Sequence, residues 1–179
     1  MSHDWIIDLE EIRRLARQDE AENLRFRQYL RFELSFTKDD LDVLVWEALA
    51  EVAPAIDCLA CGNCCRSTHT AFTPEEIEVL APRLGLTPAE FRHRHIVVEA
   101  GVAFINPLPC PFFEGNRCKV YEDRPEVCRE YPHLYKPDSS YRSKDILGNV
   151  DVCPIVFNVW HLLKDRTGFE ASKPPKPAS

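Results

Sequence analysis

The sequence predicts a mainly α-helical chain with small β-hairpins, an α+β fold gathered around cysteine sulfurs. Three observations predict it. Apolar residues recur at helical spacing behind capping residues along much of the chain. Two short β-prone stretches turn on residue pairs that contain one glycine, Ala100-Gly101 and Gly115-Asn116. Eight of the 179 residues are cysteine, and four of them fall in the run Cys58-x-x-Cys61-Gly-Asn-Cys64-Cys65. With 45% hydrophobic and 28% charged residues, the composition suits a chain able to bury a core. Its length fits one metal-stabilised domain with a helical appendage. The expected divisions are a helical segment over 1–54, a cysteine-cluster domain over 55–168 and a disordered tail over 169–179.

Residues 5–34 carry Ile6, Leu9, Ile12 and Leu15, then a polar patch at Gln18–Asn23, then Leu24, Phe26, Tyr29 and Leu30. That pattern suits amphipathic helix. Leu30–Phe36 alternates apolar and polar, a strand signal, but helix is favoured. Thr37 with Asp40 three residues on reads as a helix start ahead of Leu41, Leu44, Val45, Ala48 and Val52. Pro54 ends that element. Thr73-Pro-Glu-Glu76 and Thr87-Pro-Ala-Glu90 are capping boxes with proline at the first helical position, and Gly85 is a natural stop between them. Ile96–Glu99 and Val102–Ile105 flank Ala100-Gly101 as a hairpin. A second hairpin spans residues 111–121 and turns at Gly115-Asn116. Pro125 opens a short helical turn carrying Cys128, and Cys153-Pro154 begins a terminal helix through Val156, Val159, Trp160 and Leu163. The tail from Ser172 is proline-rich.

Lys and Arg number 22 against 29 Asp and Glu, a formal charge of −7. Nucleic-acid binding rests on a basic footprint, so that activity is disfavoured. The first residues form neither a secretory signal nor a membrane span, so a cytoplasmic chain without membrane association is expected. In a reducing compartment disulfides are rare, and eight cysteines point to metal.

The spacing of Cys58, Cys61 and Cys64 lets a tight turn gather three sulfurs, with Gly62 permitting close backbone approach. Cys65 diverges from Cys64 by about 100° on a helix, so the two are not expected to bind one ion side by side. Either two sites exist, or one site and a buried or reactive thiol. One partition assigns Cys58, Cys61, Cys64 and Cys153 to a first set, by loose analogy with ferredoxin runs completed by Cys-Pro. Cys65, Cys110, Cys118 and Cys128 then form a second. A three-residue loop Glu114-Gly115-Asn116 would place Cys110 and Cys118 on one strand face, whereas a two-residue turn would face them apart. Shared liganding therefore predicts the longer loop. His133 is the one histidine considered as a substitute ligand; His93 and His95 read as surface. Arg124 and Arg129 bracket Cys128 and could favour thiolates or balance cluster charge.

The chain lacks G-x-S-x-G, P-loop, G-x-G-x-x-G and zinc-deaminase patterns, and no catalytic residue is assigned. Cys58-x-x-Cys61-Gly-x-Cys64-Cys65-Arg66, Pro109-Cys110-Pro-Phe and Cys118-x-Val-Tyr121-x-x-Arg124-Pro125-x-x-Cys128-Arg129-x-Tyr131-Pro132 together resemble the YkgJ-type cysteine-cluster proteins. The likeness covers roughly residues 56–135, with Cys153-Pro154 supplying the eighth cysteine. It implies zinc or iron chelation and no defined reaction. A similar cluster in flagellin lysine methylases, tied to an iron–sulfur centre and S-adenosylmethionine, raises a methyltransferase-like or redox enzyme as an alternative. A structural zinc module contacting a protein through the N-terminal helices is another. All-thiolate ligation suits zinc and iron–sulfur alike. The ferredoxin-like run and the aromatics Phe112, Phe113, Tyr121 and Tyr131 tilt the reading toward iron–sulfur.

Overall fold

The computed structural model describes residues 4–34 and 37–172. Ser35 and Phe36, at the end of the alternating stretch, and residues 173–179 of the proline-rich tail lie outside the described residues. Two compact units emerge, Met1–Asp57 with Pro132–Ser179, and Cys58–Tyr131. Each combines the expected helices or hairpins, so the chain is mainly α with small antiparallel sheets.

In the first unit, α1 (Leu9–Gln18) starts on Asp8, whose carboxylate accepts from the Glu11 amide at 2.7 Å. The polar patch noted in the sequence breaks the long helix at Asp19, and α2 (Glu20–Phe32) follows. Helix α3 (Lys38–Val52) begins with the expected Thr37–Asp40 capping box. After the second unit, α9 (Ser139–Leu147) and α10 (Pro154–Arg166) complete the bundle. Helix α10 packs on α3 and α1, and α9 on α2 and α3. Their core holds Ile12, Phe26, Leu41, Val45, Phe157, Trp160 and Leu163 almost without exposure. Polar groups inside it are matched: Trp160 Nε1 donates to Asn23 Oδ1 at 2.9 Å, and Asn158 bonds both the amide and the carbonyl of Ile6. The apolar spacing of α10 thus faces the N-terminal helices.

The second unit opens with α4 (Cys58–Cys61) and α5 (Asn63–Ser67), joined by Gly62 at φ 55°. Strand β1 (Ala71–Phe72) precedes α6 (Pro74–Arg83) and α7 (Pro88–His95), both started by the predicted capping boxes. Gly85, at φ 69°, stops α6 as expected. Strands β2 (Ile96–Glu99) and β3 (Val102–Ile105) form the first hairpin, with Val98 opposite Ala103 and positive φ at both Ala100 and Gly101. Strand β1 joins the far side of β3, pairing Ala71 with Phe104, a contact the sequence reading did not include. Strands β4 (Phe113–Glu114) and β5 (Arg117–Cys118) form the second hairpin, and α8 (Glu126–Arg129) follows Pro125. The core of this unit is Phe72, Ile77, Leu80, Ala81, Phe91, Ile105, Phe112 and Val120, with Cys110 and Cys118 packed against it. His95 is half-buried, unlike the exposed His93. As the last residue of α7 it turns inward, edge-on to Phe91 and Phe112 at 5.5 and 5.2 Å.

Candidate metal centre

Seven of the eight cysteines belong to the second unit, and four of them share one neighbourhood there. Cys65 comes from α5, Cys110 from the turn before β4, Cys118 from β5 and Cys128 from α8. Each is half-buried, and none of the four is in a disulfide. Cys110 is tied directly to the cysteine run, because its amide donates to the Cys65 carbonyl at 2.8 Å.

Electrostatics couple the four, each thiolate disfavouring ionisation of its neighbours. Burial pushes the Cys110 thiol up to about 11; an N–H bond from Phe112 opposes this, and negative charge at Cys65, Cys118 and Cys128 adds to it. Burial likewise raises Cys118, against an N–H bond from Val120, with Cys65 raising it and Arg124 lowering it. Cys128 is raised by burial, eased by its bond to Thr70, raised by Cys65 and Cys118 and lowered by Arg124. Cys65 goes the other way. A hydrogen bond from Cys64 lowers it to about 7, against burial and with help from Arg124 and Arg66. Adjacent side chains on α5 therefore still interact, although they diverge. Arg124 acts on three of the four thiols as expected. Arg129 does not act on them but donates to the Arg124 carbonyl.

Two of the thiols sit in the same local frame. Cys110-Pro111-Phe112 and Cys118-Lys119-Val120 each turn so that the amide two residues on donates to the sulfur. Such bonds favour the thiolate, the form that binds metal. Cys128 Sγ lies 3.6 Å from Thr70 Oγ1, and Thr70 is fixed because its carbonyl accepts from Ile105 at 2.8 Å, extending the β1–β3 pairing.

The expected longer hairpin loop is not formed. Phe113 pairs with Cys118 and Glu114 with Arg117, leaving the two-residue turn Gly115-Asn116 with φ 54° and 61°. These two positive φ values give the turn whose twist matches paired strands. Cys110 nonetheless feels the charge of Cys118; the bond from the Phe113 amide to the Cys110 carbonyl, at 2.9 Å, bends the chain before β4, so Cys110 stands outside the strand register.

The other expected ligands are placed differently. Cys58 is exposed on α4, and Cys61 and Cys64 are half-buried on either side of Gly62. Cys153 belongs to the first unit, buried at the start of α10. His133 is also in that unit, at φ 62°, its carbonyl accepting from Arg142.

A family model described as "CxxCxxCC: Putative zinc- or iron-chelating domain" matches residues 57–154, more than half of the chain. The chain belongs to the CxxCxxCC family. All eight cysteines fall inside the matched CxxCxxCC segment, and its description supports metal binding. No curated protein and no solved structure matches the chain.

By donor type alone these four thiols suit a soft cation: they come from four elements, two have N–H donors behind them, one has a hydroxyl, and Arg124 acts on three. Among the described residues, no three His, Cys, Asp or Glu side chains stand close enough together to hold an ion. Thr70 was not legible from sequence, since nothing local marks it; Asn116 was legible only as a turn residue. No helix among the described residues is long and apolar enough to cross a membrane.

Proposed function

We propose that this domain chelates zinc or iron through Cys65, Cys110, Cys118 and Cys128. The observation that carries the reading is geometric: four elements of one unit each bring a cysteine, the Cys110 amide donates to the Cys65 carbonyl at 2.8 Å, and all four lie inside the zinc- or iron-chelating family match. A four-thiolate set closes the coordination of Zn²⁺ or of a single iron and leaves no position for substrate, the pattern of a structural site. When bound, the metal supplies a cross-link between α5, the β4–β5 hairpin and α8. The protein's own groups do the rest. The amides of Phe112 and Val120 and the Thr70 hydroxyl steady the sulfurs, and Arg124 offsets the negative charge of the loaded set.

A second reading is an iron–sulfur centre. It is favoured by the run Cys58–Cys64 wrapping Gly62 in the left-handed conformation, and by the aromatic wall of Phe112 and Phe113. Anaerobic purification with elemental analysis separates the two. Colourless protein with zinc in stoichiometric amount supports the structural site, and brown protein with iron and acid-labile sulfide supports the cluster. Protein that retains neither metal after reconstitution removes the chelation reading.

A further inference from the structure

Arg66 follows the cysteine run, and its side chain folds back over it. Nη1 donates to the Cys61 carbonyl at 2.7 Å, and Nη2 donates to Asn116 Oδ1. Asn116 completes the circuit, its Nδ2 donating to the Ala60 carbonyl at 2.9 Å. The Arg66 guanidinium also lies 4.8 Å from the centroid of the Phe113 ring. That ring fills the space beside Gly62 so closely that a Cβ there would stand 2.4 Å from Phe113 Cζ.

We infer that Arg66 and Asn116 form a clamp that sets the metal-binding geometry, positioning Cys65 against Cys110 and Cys118. The argument is one of connectivity. Carbonyls at the end of α4 would otherwise lack intrahelical partners. Here the carbonyls of Ala60 and Cys61 are taken by two side chains that also bond each other, one from the helix and one from the hairpin turn. Gly115-Asn116 is the turn between the strands that lead back to Cys110 and on to Cys118, so fixing its tip fixes those thiols relative to Cys65. Asn suits this position twice. It tolerates the left-handed φ of 61° that the turn needs, and its amide both donates and accepts. Arg66 suits it because a planar fork can bond two acceptors while stacking on a ring, which lysine cannot.

This inference rests on the four-thiol reading, and the test keeps the two apart. Cobalt(II) titration of the apo-protein reports thiolate ligation by its charge-transfer and d–d absorption, and competition with zinc gives the affinity. The variants are Arg66→Ala, Arg66→Lys and Asn116→Gly, the last keeping the backbone freedom of the turn while removing the amide. Each should weaken affinity by about 10–100-fold, the range for groups that orient metal ligands. Each should also alter the d–d envelope, with thermal unfolding of the apo-protein little changed. Arg66→Ala and Asn116→Gly combined should weaken binding no more than the stronger single change, because they remove one device. If the native protein gives no thiolate–cobalt spectrum, the four-thiol reading fails. If it does and the variants match it in affinity and spectrum, or if they lose affinity only in step with apo-protein stability, the clamp is refuted and the thiol reading stands.

Discussion

The helical unit and the cysteine unit solve the same problem with different materials. In the first, large side chains do the work: Trp160, Phe26, Phe157, Leu41, Leu134 and Leu163 are almost fully buried, and Phe26 meets Trp160 edge-on at 4.9 Å. In the second, residues 58–131 bury a core of eight, padded by half-buried cysteines, and much of the chain is turn and two-residue strand. Small units with limited apolar cores are commonly completed by a metal, whose binding energy then becomes folding energy. The lesson is that the helical unit should be indifferent to metal, while the region around Cys65, Cys110, Cys118 and Cys128 should keep its fold without metal but lose much of its stability.

The largest effect that could break this comparison is metal removal. Chelation should strip hydrogen-exchange protection from the β4–β5 hairpin and α8 by several orders of magnitude while α3 and α10 keep theirs. The binding free energy at stake is on the order of 10 kcal/mol in comparable thiolate sites. Equal loss in both units would erase the distinction.

A smaller effect sharpens it. Gly62→Ala forces a side chain into the left-handed region at φ 55° and against the Phe113 ring. The strain alone is about 1–2 kcal/mol. In denaturant titrations followed by region-specific exchange, the loss should appear around α4, α5 and the hairpin and leave α10 unmoved.

The smallest concerns pH. Burial holds Cys110 at about 11 and raises Cys118 and Cys128, so these thiols carry protons at neutral pH and must release them to bind metal. Affinity should therefore rise with pH across the neutral range. Cys65, near 7, adds about one more displaced proton below that pH than above it. The plot of log affinity against pH should be steeper by about one unit below pH 7 than just above it. A flat profile by zinc competition between pH 6 and 8 would remove these thiols as ligands.

How far the sequence reveals this molecule depends on how local each signal is. The capping boxes at Thr37, Thr73 and Thr87 and the Ala100-Gly101 turn are complete within a few residues, and each is found where the pattern places it. Helix α9 is different. Its first residues are capped by the carboxylate of Asp42, which accepts from the amides of Asp138 and Ser139 at 2.8 Å from far along the chain. It also buries Ser139, Ser140 and Ser143 where an apolar stripe would announce a helix. Only Asp138 at its start and Gly148 at its end mark it locally, and neither comes with an apolar stripe. The metal centre divides in the same way. The cysteines were legible as a set, but the turn at Cys110 that defeats the hairpin-face argument, and the bond from Cys128 to Thr70, depend on tertiary contacts. Arg66 was visible as part of the motif, while its reach to Asn116 spans 50 residues.

The most direct test is X-ray absorption on the metal-loaded protein, compared with its Cys65→Ser, Cys110→Ser, Cys118→Ser and Cys128→Ser variants. A first shell of four sulfurs at about 2.3 Å from zinc, losing one sulfur in each variant, is the predicted result. A shell of nitrogen or oxygen donors, or a four-sulfur shell that survives all four substitutions, would contradict it.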